Sequence, residues 1–193
     1  MNFICISGQM RSGKNLAGSY ICENFGFKEA SFARPVKDIF CRAFGVDLNF
    51  VEKWKVIDSN PPTFTRNVRQ SLQFIGDGFR QIQPDIWVDY AFSNNPKKTC
   101  FTDGRYINEL SRIKEEGGIN ILLRRPGYEN NDPNQSESQI KKIVDWFVSS
   151  SIPEGKVNSV SSDAPLGCNY IDYFIVNDGS ILEFKEKIRK ILV

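Results

Sequence analysis

The chain has 193 residues, 40% of them apolar, with 25 basic and 23 acidic side chains and a formal net charge of +2. This is an ordinary globular composition with material for one sizeable core, and its charge balance disfavours general nucleic-acid binding. There is no histidine, which excludes Ser-His-Asp and Cys-His catalysis and leaves chemistry to Lys, Arg, Asp, Glu or a hydroxyl.

The five cysteines, Cys5, Cys22, Cys41, Cys100 and Cys168, form no Cys-x-x-Cys pair. They argue against a zinc site and fit reduced thiols in a cytoplasmic protein. The longest apolar runs, such as Ile119–Leu123, are too short to span a bilayer. Met1–Gly8 lacks the basic start and long apolar stretch of a signal peptide. It reads instead as a buried strand entering a loop.

In chain order, Phe3–Ser7 predicts a central parallel strand, being continuously apolar. Residues 14–25 predict a helix and Phe27–Phe32 a short strand. Pro35 opens a helix with Val36, Ile39, Phe40 and Phe44 at helical spacing, and Gly45 stops it. Residues 46–64 carry no clear pattern. Helices are expected over Thr65–Phe79 and Pro84–Ser93, a strand over Thr99–Asp103, a helix over Ile107–Glu116 and a strand over Ile119–Leu123. Residues 126–138 are polar and rich in turn formers, which predicts a mobile excursion. A helix over Gln139–Val148, a loop over 149–169, a strand over Tyr173–Val176 and a closing helix over Ile181–Leu192 complete the chain. Strands alternating with helices predict an α/β fold with a mainly parallel sheet between two helical layers.

Gly8-Gln9-Met10-Arg11-Ser12-Gly13-Lys14 matches the G-x-x-x-x-G-K core of a phosphate loop between a strand and a helix. Glycines allow the tight turn that points backbone N–H groups at phosphate oxygens. The helix N-terminus adds a favourable dipole, and Lys14 reaches the terminal phosphates. Gly8, Arg11, Ser12, Gly13, Lys14 and Asn15 are therefore candidate contacts for a nucleotide triphosphate. Asn15 replaces the usual Ser or Thr magnesium ligand and is left to hold a magnesium-bound water or to bond within the loop. Arginines Arg11, Arg80, Arg105, Arg124 and Arg125 fall near predicted strand ends or loops, where cations suit phosphoryl transfer.

With those residues in view, the sequence resembles the bacteriophage deoxynucleoside monophosphate kinases, within the adenylate-kinase-like group. The matching segments are Ser7–Lys14, Ser31–Lys37, Arg69–Gly76, Arg80, Pro84–Val88, Thr102–Glu109 and Val176–Gly179, in order over nearly the whole chain. The resemblance implies a phosphate-loop three-layer sandwich comprising the whole chain, with an acceptor-binding helical insertion at about 46–95 and a short lid at about 125–139. It implies transfer of the terminal phosphate of ATP, with magnesium, to a deoxynucleoside monophosphate in the cytoplasm, that of an infected host if the chain is of phage origin.

By the same resemblance, Lys37, Arg69, Arg80 and Arg105 are candidates for the acceptor phosphate or the transferred phosphoryl group, with Gln73 beside them. Arg124 and Arg125 begin the lid, and Asn177 and Asp178 lie near the donor base. The family also allows a homodimer. Two departures stand out: Asn15-Leu16 follows the loop lysine where the family often has an acidic residue and Ser or Thr, and Asn134 and Gln135 precede Ser136-Glu137 where a histidine often stands.

Several residues carry a second reading. Phe32 stacks on the acceptor base or simply packs, and Trp87 is a base platform or core. Asp103 orients magnesium, through water, or the acceptor, or caps the next helix. Arg69 and Arg80 form ion pairs with Asp77 if they are not ligands. Glu109 and Arg112 read as a solvated helix face. Two other functions share these features: a phosphate-loop kinase acting on a hydroxyl of DNA or a modified base, and a nucleotide-binding module without transfer.

Overall fold

The computed structural model describes residues 1–57, 59–95, 97–128 and 135–193, without the side chains of Gln135 and Ser136. The chain divides into two compact units: Met1–Ser31 with Asn95–Val193, and Phe32–Asn94.

The first unit contains β1 (Phe3–Gly8), β2 (Lys28–Ala30), β3 (Thr99–Gly104), β4 (Ile119–Arg124), β5 (Gly155–Lys156) and β6 (Tyr173–Val176). They form one sheet in the order β2-β3-β1-β4-β6-β5. All neighbours are parallel except β5, which pairs antiparallel with β6 at the edge. Its helices are α1 (Lys14–Phe25), α6 (Ile107–Glu115), α7 (Gln135–Ser149) and α8 (Ile181–Leu192). The helices α2 to α5 belong to the second unit.

The two-residue period of the strands sorts their side chains between two helical layers. Ile4 and Ile6 of β1, Ile121 and Leu123 of β4 and Ile175 of β6 pack with Ala17 and Ile21 of α1 and Phe184 and Ile188 of α8. On the opposite face Phe174 of β6 meets Phe147 of α7, ring centroids 5.2 Å apart. The result is the expected α/β fold: a mainly parallel sheet between helices. Every residue of β1 is buried, which is why its sequence is continuously apolar rather than alternating. Among the described residues no helix is long and apolar enough to cross a membrane.

The second unit is helical: α2 (Arg34–Phe44), α3 (Leu48–Trp54), α4 (Val68–Ile82) and α5 (Ile86–Asn94). Phe40, Val51 and Val68 form its buried centre, with Phe64 and Leu72 packed against it. The Phe64 ring lies 5.8 Å from Phe40 and 5.0 Å from Phe44. The unit begins at Phe32 and so takes in α2 as well as the stretch at about 46–95.

Local chemistry explains where expected elements move. Helix α3 lies in the unpatterned stretch 46–64 because Asp47 caps it, accepting from Phe50 N at 2.7 Å. Helix α4 starts at Val68 rather than Thr65, since Asn67 accepts from Gln70 N at 2.8 Å. Helix α7 begins at Gln135, four residues before the expected Gln139. The loop expected over 149–169 contains β5 and leads into a 3-10 turn at Cys168–Tyr170.

Helix α1 lies very close to the sheet at Gly18, where an added Cβ would come within 2.2 Å of Thr102 Cγ2. Gly to Ala inside a helix ordinarily stabilises by about 1 kcal/mol. Gly18→Ala should instead destabilise by about 1–3 kcal/mol through overpacking. Thr102→Ser deletes the obstructing methyl, so in that background the Gly18→Ala loss should shrink in urea titrations. An unaltered loss would show that the close approach is not what requires glycine.

Candidate phosphate-binding site

The site is built at the carboxyl end of β1, where the chain must turn into α1 within five residues. Gly8 has φ +144° and Gly13 φ +106°, conformations that side chains rarely adopt. Space is also lacking: a Cβ on Gly8 would stand 2.4 Å from Leu123 O and 2.7 Å from Ser12 Oγ, and one on Gly13 2.6 Å from Asn177 Nδ2. Gly13 is the N-cap of α1 and no side chain caps that helix. Its amino end therefore presents backbone donors and the positive end of the dipole, a ready anion site.

Lys14 is 9% exposed. Its ammonium donates to Gly8 O and Gln9 O, each at 2.7 Å, and so folds back over its own loop. Its pKa is lowered to about 8, first by burial and then by the positive charge of Arg105, against the opposing pull of Glu137 and Asp103. Lysine, arginine and two carboxylates therefore share one electrostatic neighbourhood. The Ser12 hydroxyl is buried and has no hydrogen-bond partner among the described residues. A buried donor without a partner, at the inner wall of a turn that admits no Cβ, fits the oxygen of a bound phosphate.

Arg105 follows β3 directly, and its turn is fixed by Glu109. That carboxylate is buried and accepts from Arg105 N at 2.7 Å and Tyr106 N at 3.0 Å. The expected solvated face is thus corrected for Glu109: it satisfies the amides at the start of α6. Arg112, on the same helix, does pair with a surface carboxylate, Glu116, at 3.3 Å. The Arg105 guanidinium lies 2.7 Å from Glu137 of α7. Asp103, the last but one residue of β3, accepts from Ser31 Oγ at 2.6 Å. It does not cap α6, whose N-cap is Tyr106.

The other candidates are placed as follows. Asn177 donates from its side chain to Ser12 O at 3.1 Å, pinning the loop from β6. Asp178 is exposed and pairs with Lys187 at 2.9 Å. Arg11 and Asn15 are exposed. Arg124 ends β4, and its carbonyl accepts from Asn177 N at 2.7 Å. Arg125 lies over the Tyr128 ring at 4.1 Å. Of the expected lid at about 125–139, residues 129–134 lie outside the described residues, Asn134 among them.

In the helical unit, Lys37 pairs with Glu52 at 2.8 Å and Arg80 with Asp77 at 3.1 Å. Arg69 donates to Lys55 O at 3.4 Å. Gln73 is half-buried on α4. Two acceptor-side candidates are corrected here. Phe32 is 2% exposed and Trp87 3%, and Trp87 Nε1 donates to Gly76 O at 3.0 Å. Both rings are interior packing, with no face left for a base.

Sequence reasoning missed Glu137, Glu109 and Ser31 as site neighbours. Glu109 is the third residue of α6, but Tyr106 before it is not a capping residue type, so no capping box was legible. Glu137 stood in a stretch read as loop.

No family model matches the chain. A protein of Acanthamoeba polyphaga mimivirus described as "Putative deoxynucleotide monophosphate kinase" is 29% identical over 167 residues, covering 77% of this chain and 86% of its own. An uncharacterized protein of Ictalurid herpesvirus 1 (strain Auburn) is 24% identical over 147 residues, covering 69% of this chain and 55% of its own. Among solved structures, shikimate kinase from Acinetobacter baumannii in complex with shikimate aligns over 100% of this chain and 93% of its own, with TM-score 0.49 and 16% identity. Dephospho-CoA kinase from Campylobacter jejuni aligns over 99% and 95%, with TM-score 0.44 and 14% identity.

Fold and loop together define an α/β phosphate-loop protein.

Magnesium fits less directly than phosphate. Asn15 is exposed, Asp103 already accepts from Ser31, and no group of three acidic or cysteine side chains among the described residues is arranged to hold a metal. Magnesium keeps several waters and is commonly carried on the phosphates themselves.

Phosphate binding favours protonated Lys14, so binding raises a pKa that stands at about 8 in the free protein. Affinity is then complete below pH 8 and is lost as pH rises through that value. Tripolyphosphate binding followed by calorimetry should weaken about tenfold between pH 7 and pH 9. At pH 8.5 it should take up protons, read as a heat that varies with buffer ionisation enthalpy. A flat affinity across this range would show that Lys14 does not meet the phosphates as a cation.

Proposed function

We propose that the protein transfers the terminal phosphate of ATP to a deoxynucleoside monophosphate, giving the diphosphate. The observation that carries this reading is the pair of cations, Lys14 and Arg105, brought into one neighbourhood at the carboxyl ends of β1 and β3 over a glycine loop. Crevices beyond strand carboxyl ends are where open parallel sheets bind ligands. The name of the mimivirus relative supports the acceptor class.

In this reading the backbone of Gly8–Gly13 and the Ser12 hydroxyl cradle the donor phosphates. Lys14 leaves the carbonyls of Gly8 and Gln9 to neutralise the terminal phosphates, and Arg11 flanks the loop. Asn177 holds the loop by its hydrogen bond to Ser12 O, with Asp178 near the donor base. Arg105 meets the transferred phosphoryl group, assisted by Arg124 and Arg125. Lys37, Arg69, Gln73 and Arg80 are acceptor residues on the helical unit. Magnesium, carried in by ATP, would neutralise charge on the phosphates; the chain's own contribution is positioning and fixed positive charge.

The test is ADP production from ATP and magnesium with each deoxynucleoside monophosphate in turn, and with a DNA substrate. Turnover with one or more monophosphates is expected. Turnover only with DNA would replace this reading by a DNA kinase, and none with any acceptor by a nucleotide-binding module. Lys14→Ala should lower turnover about a thousandfold in a folded protein. Arg105→Lys should cost about 1–3 kcal/mol, because an ammonium cannot reproduce the planar two-point contact of a guanidinium. An Arg105→Lys enzyme with unaltered kinetics for every acceptor would remove Arg105 from the site while leaving the donor loop in place.

A further inference from the structure

Glu137 is a buried charged group of the sheet unit. It lies in the first turn of α7 and is 3% exposed, and neither carboxylate oxygen completes a hydrogen bond among the described residues. Among the described residues its carboxylate lies against the Arg105 guanidinium, 2.7 Å away but off the line of an N–H bond. A buried carboxylate without well-formed hydrogen bonds is costly unless charge compensates it. The compensation here is Arg105 together with nearby Lys14, whose own charge is favoured by Glu137. These are the two cations, one from the phosphate loop and one from the end of β3, that the proposed site would offer to an incoming phosphate. An anionic side chain therefore stands among cations suited to an anionic ligand.

We infer that Glu137 is a positioning residue that occupies Arg105 in place of a phosphate until a polyphosphate displaces it, tying the first turn of α7 to nucleotide entry. This inference rests on the phosphate-loop reading of Gly8–Lys14. The physical reason is like-charge repulsion. A triphosphate drawn in by Lys14 and Arg105 brings several negative charges into a buried neighbourhood that already contains a carboxylate, where screening is weak. Either the carboxylate leaves Arg105 or the phosphate binds weakly. The displacement has an element to act on, since Glu137 sits at the start of a helix whose later residues Ile140, Ile143, Val144 and Phe147 are buried in the core. The first turn can yield while the rest of α7 stays docked. The pair also keeps Arg105 close to the loop before ligand arrives.

The decisive variant is Glu137→Gln, which keeps shape and removes charge. Inorganic tripolyphosphate without magnesium is the probe, because it engages the loop without needing a base, an acceptor or turnover. Glu137→Gln should bind it about tenfold more tightly than the unaltered chain. In an Arg105→Gln background the same substitution should give a much smaller gain, since the pair is already broken. A purely structural role for Glu137 predicts lower stability without tighter binding, so the sign of the affinity change separates the two. On the unaltered chain, hydrogen exchange at the amides of residues 137–140 should quicken when tripolyphosphate binds. This measurement stands even if Glu137→Gln does not fold.

Equal or weaker tripolyphosphate binding by folded Glu137→Gln, or slowed exchange at 137–140, would overturn the inference. Tripolyphosphate bound by neither protein would overturn the phosphate-loop reading with it. Failure to phosphorylate any deoxynucleoside monophosphate, with tight tripolyphosphate binding retained, would overturn the proposed reaction alone.

Discussion

A buried ammonium at the positive end of a helix is an unfavourable arrangement, and much of the sheet unit answers to it. Lys14 stands where the dipole of α1 and the charge of Arg105 both oppose it. Burial adds to the cost, and its pKa falls to about 8 as a result. Two loop carbonyls and two neighbouring carboxylates hold it there. A surface lysine would need none of this. Lys14 and Arg105 thus share one neighbourhood with Glu137 and Asp103, cations and carboxylates gathered around a single glycine turn.

The same constraint explains the surrounding geometry. Gly8 and Gly13 permit the turn that brings Lys14 back over its own carbonyls, and Asn177 reaches from β6 to hold Ser12 in place. Glu109 gives up solvent to tie the amides of Arg105 and Tyr106, so that the guanidinium departs from a rigid turn. Elements far apart in sequence thus converge on one loop: the ends of β1, β3 and β6 and the first turn of α7. Parallel strand order makes the convergence possible, because β3 and β4 flank β1 with their carboxyl ends on the same edge.

The helical unit follows a different rule. Three of its cations have partners within the unit: Lys37 pairs with Glu52, Arg80 with Asp77, and Arg69 donates to a backbone carbonyl. Exposed and half-exposed pairs of this kind contribute little to stability. Its aromatic residues are mostly structural: Phe40, Phe44, Phe50 and Phe64 form one cluster, and Trp87 packs against Phe79 with centroids 5.4 Å apart.

What the sequence determined by itself was local. The run Phe3–Ser7, the G-x-x-x-x-G-K loop and the helix from Lys14 to Phe25 are each encoded within a few residues, so their positions were legible to within one residue. The alternation of strands and helices settled the fold class in the same way. Element starts that depend on a side chain capping a backbone amide, at Asp47 and Asn67, were misread, because the same residue types also make turns. Tertiary structure alone decided the rest. Nothing near Glu137 in sequence announces a partner 32 residues earlier, and nothing near Glu109 says that it is buried. Ser31 and Asp103 meet only because β2 and β3 run parallel as neighbours. Phe32 and Trp87 have the chemistry of base platforms, and only packing turned them inward. Local propensity is written in neighbouring residues, whereas the charge environment of a site is set by groups that the fold gathers from a distance.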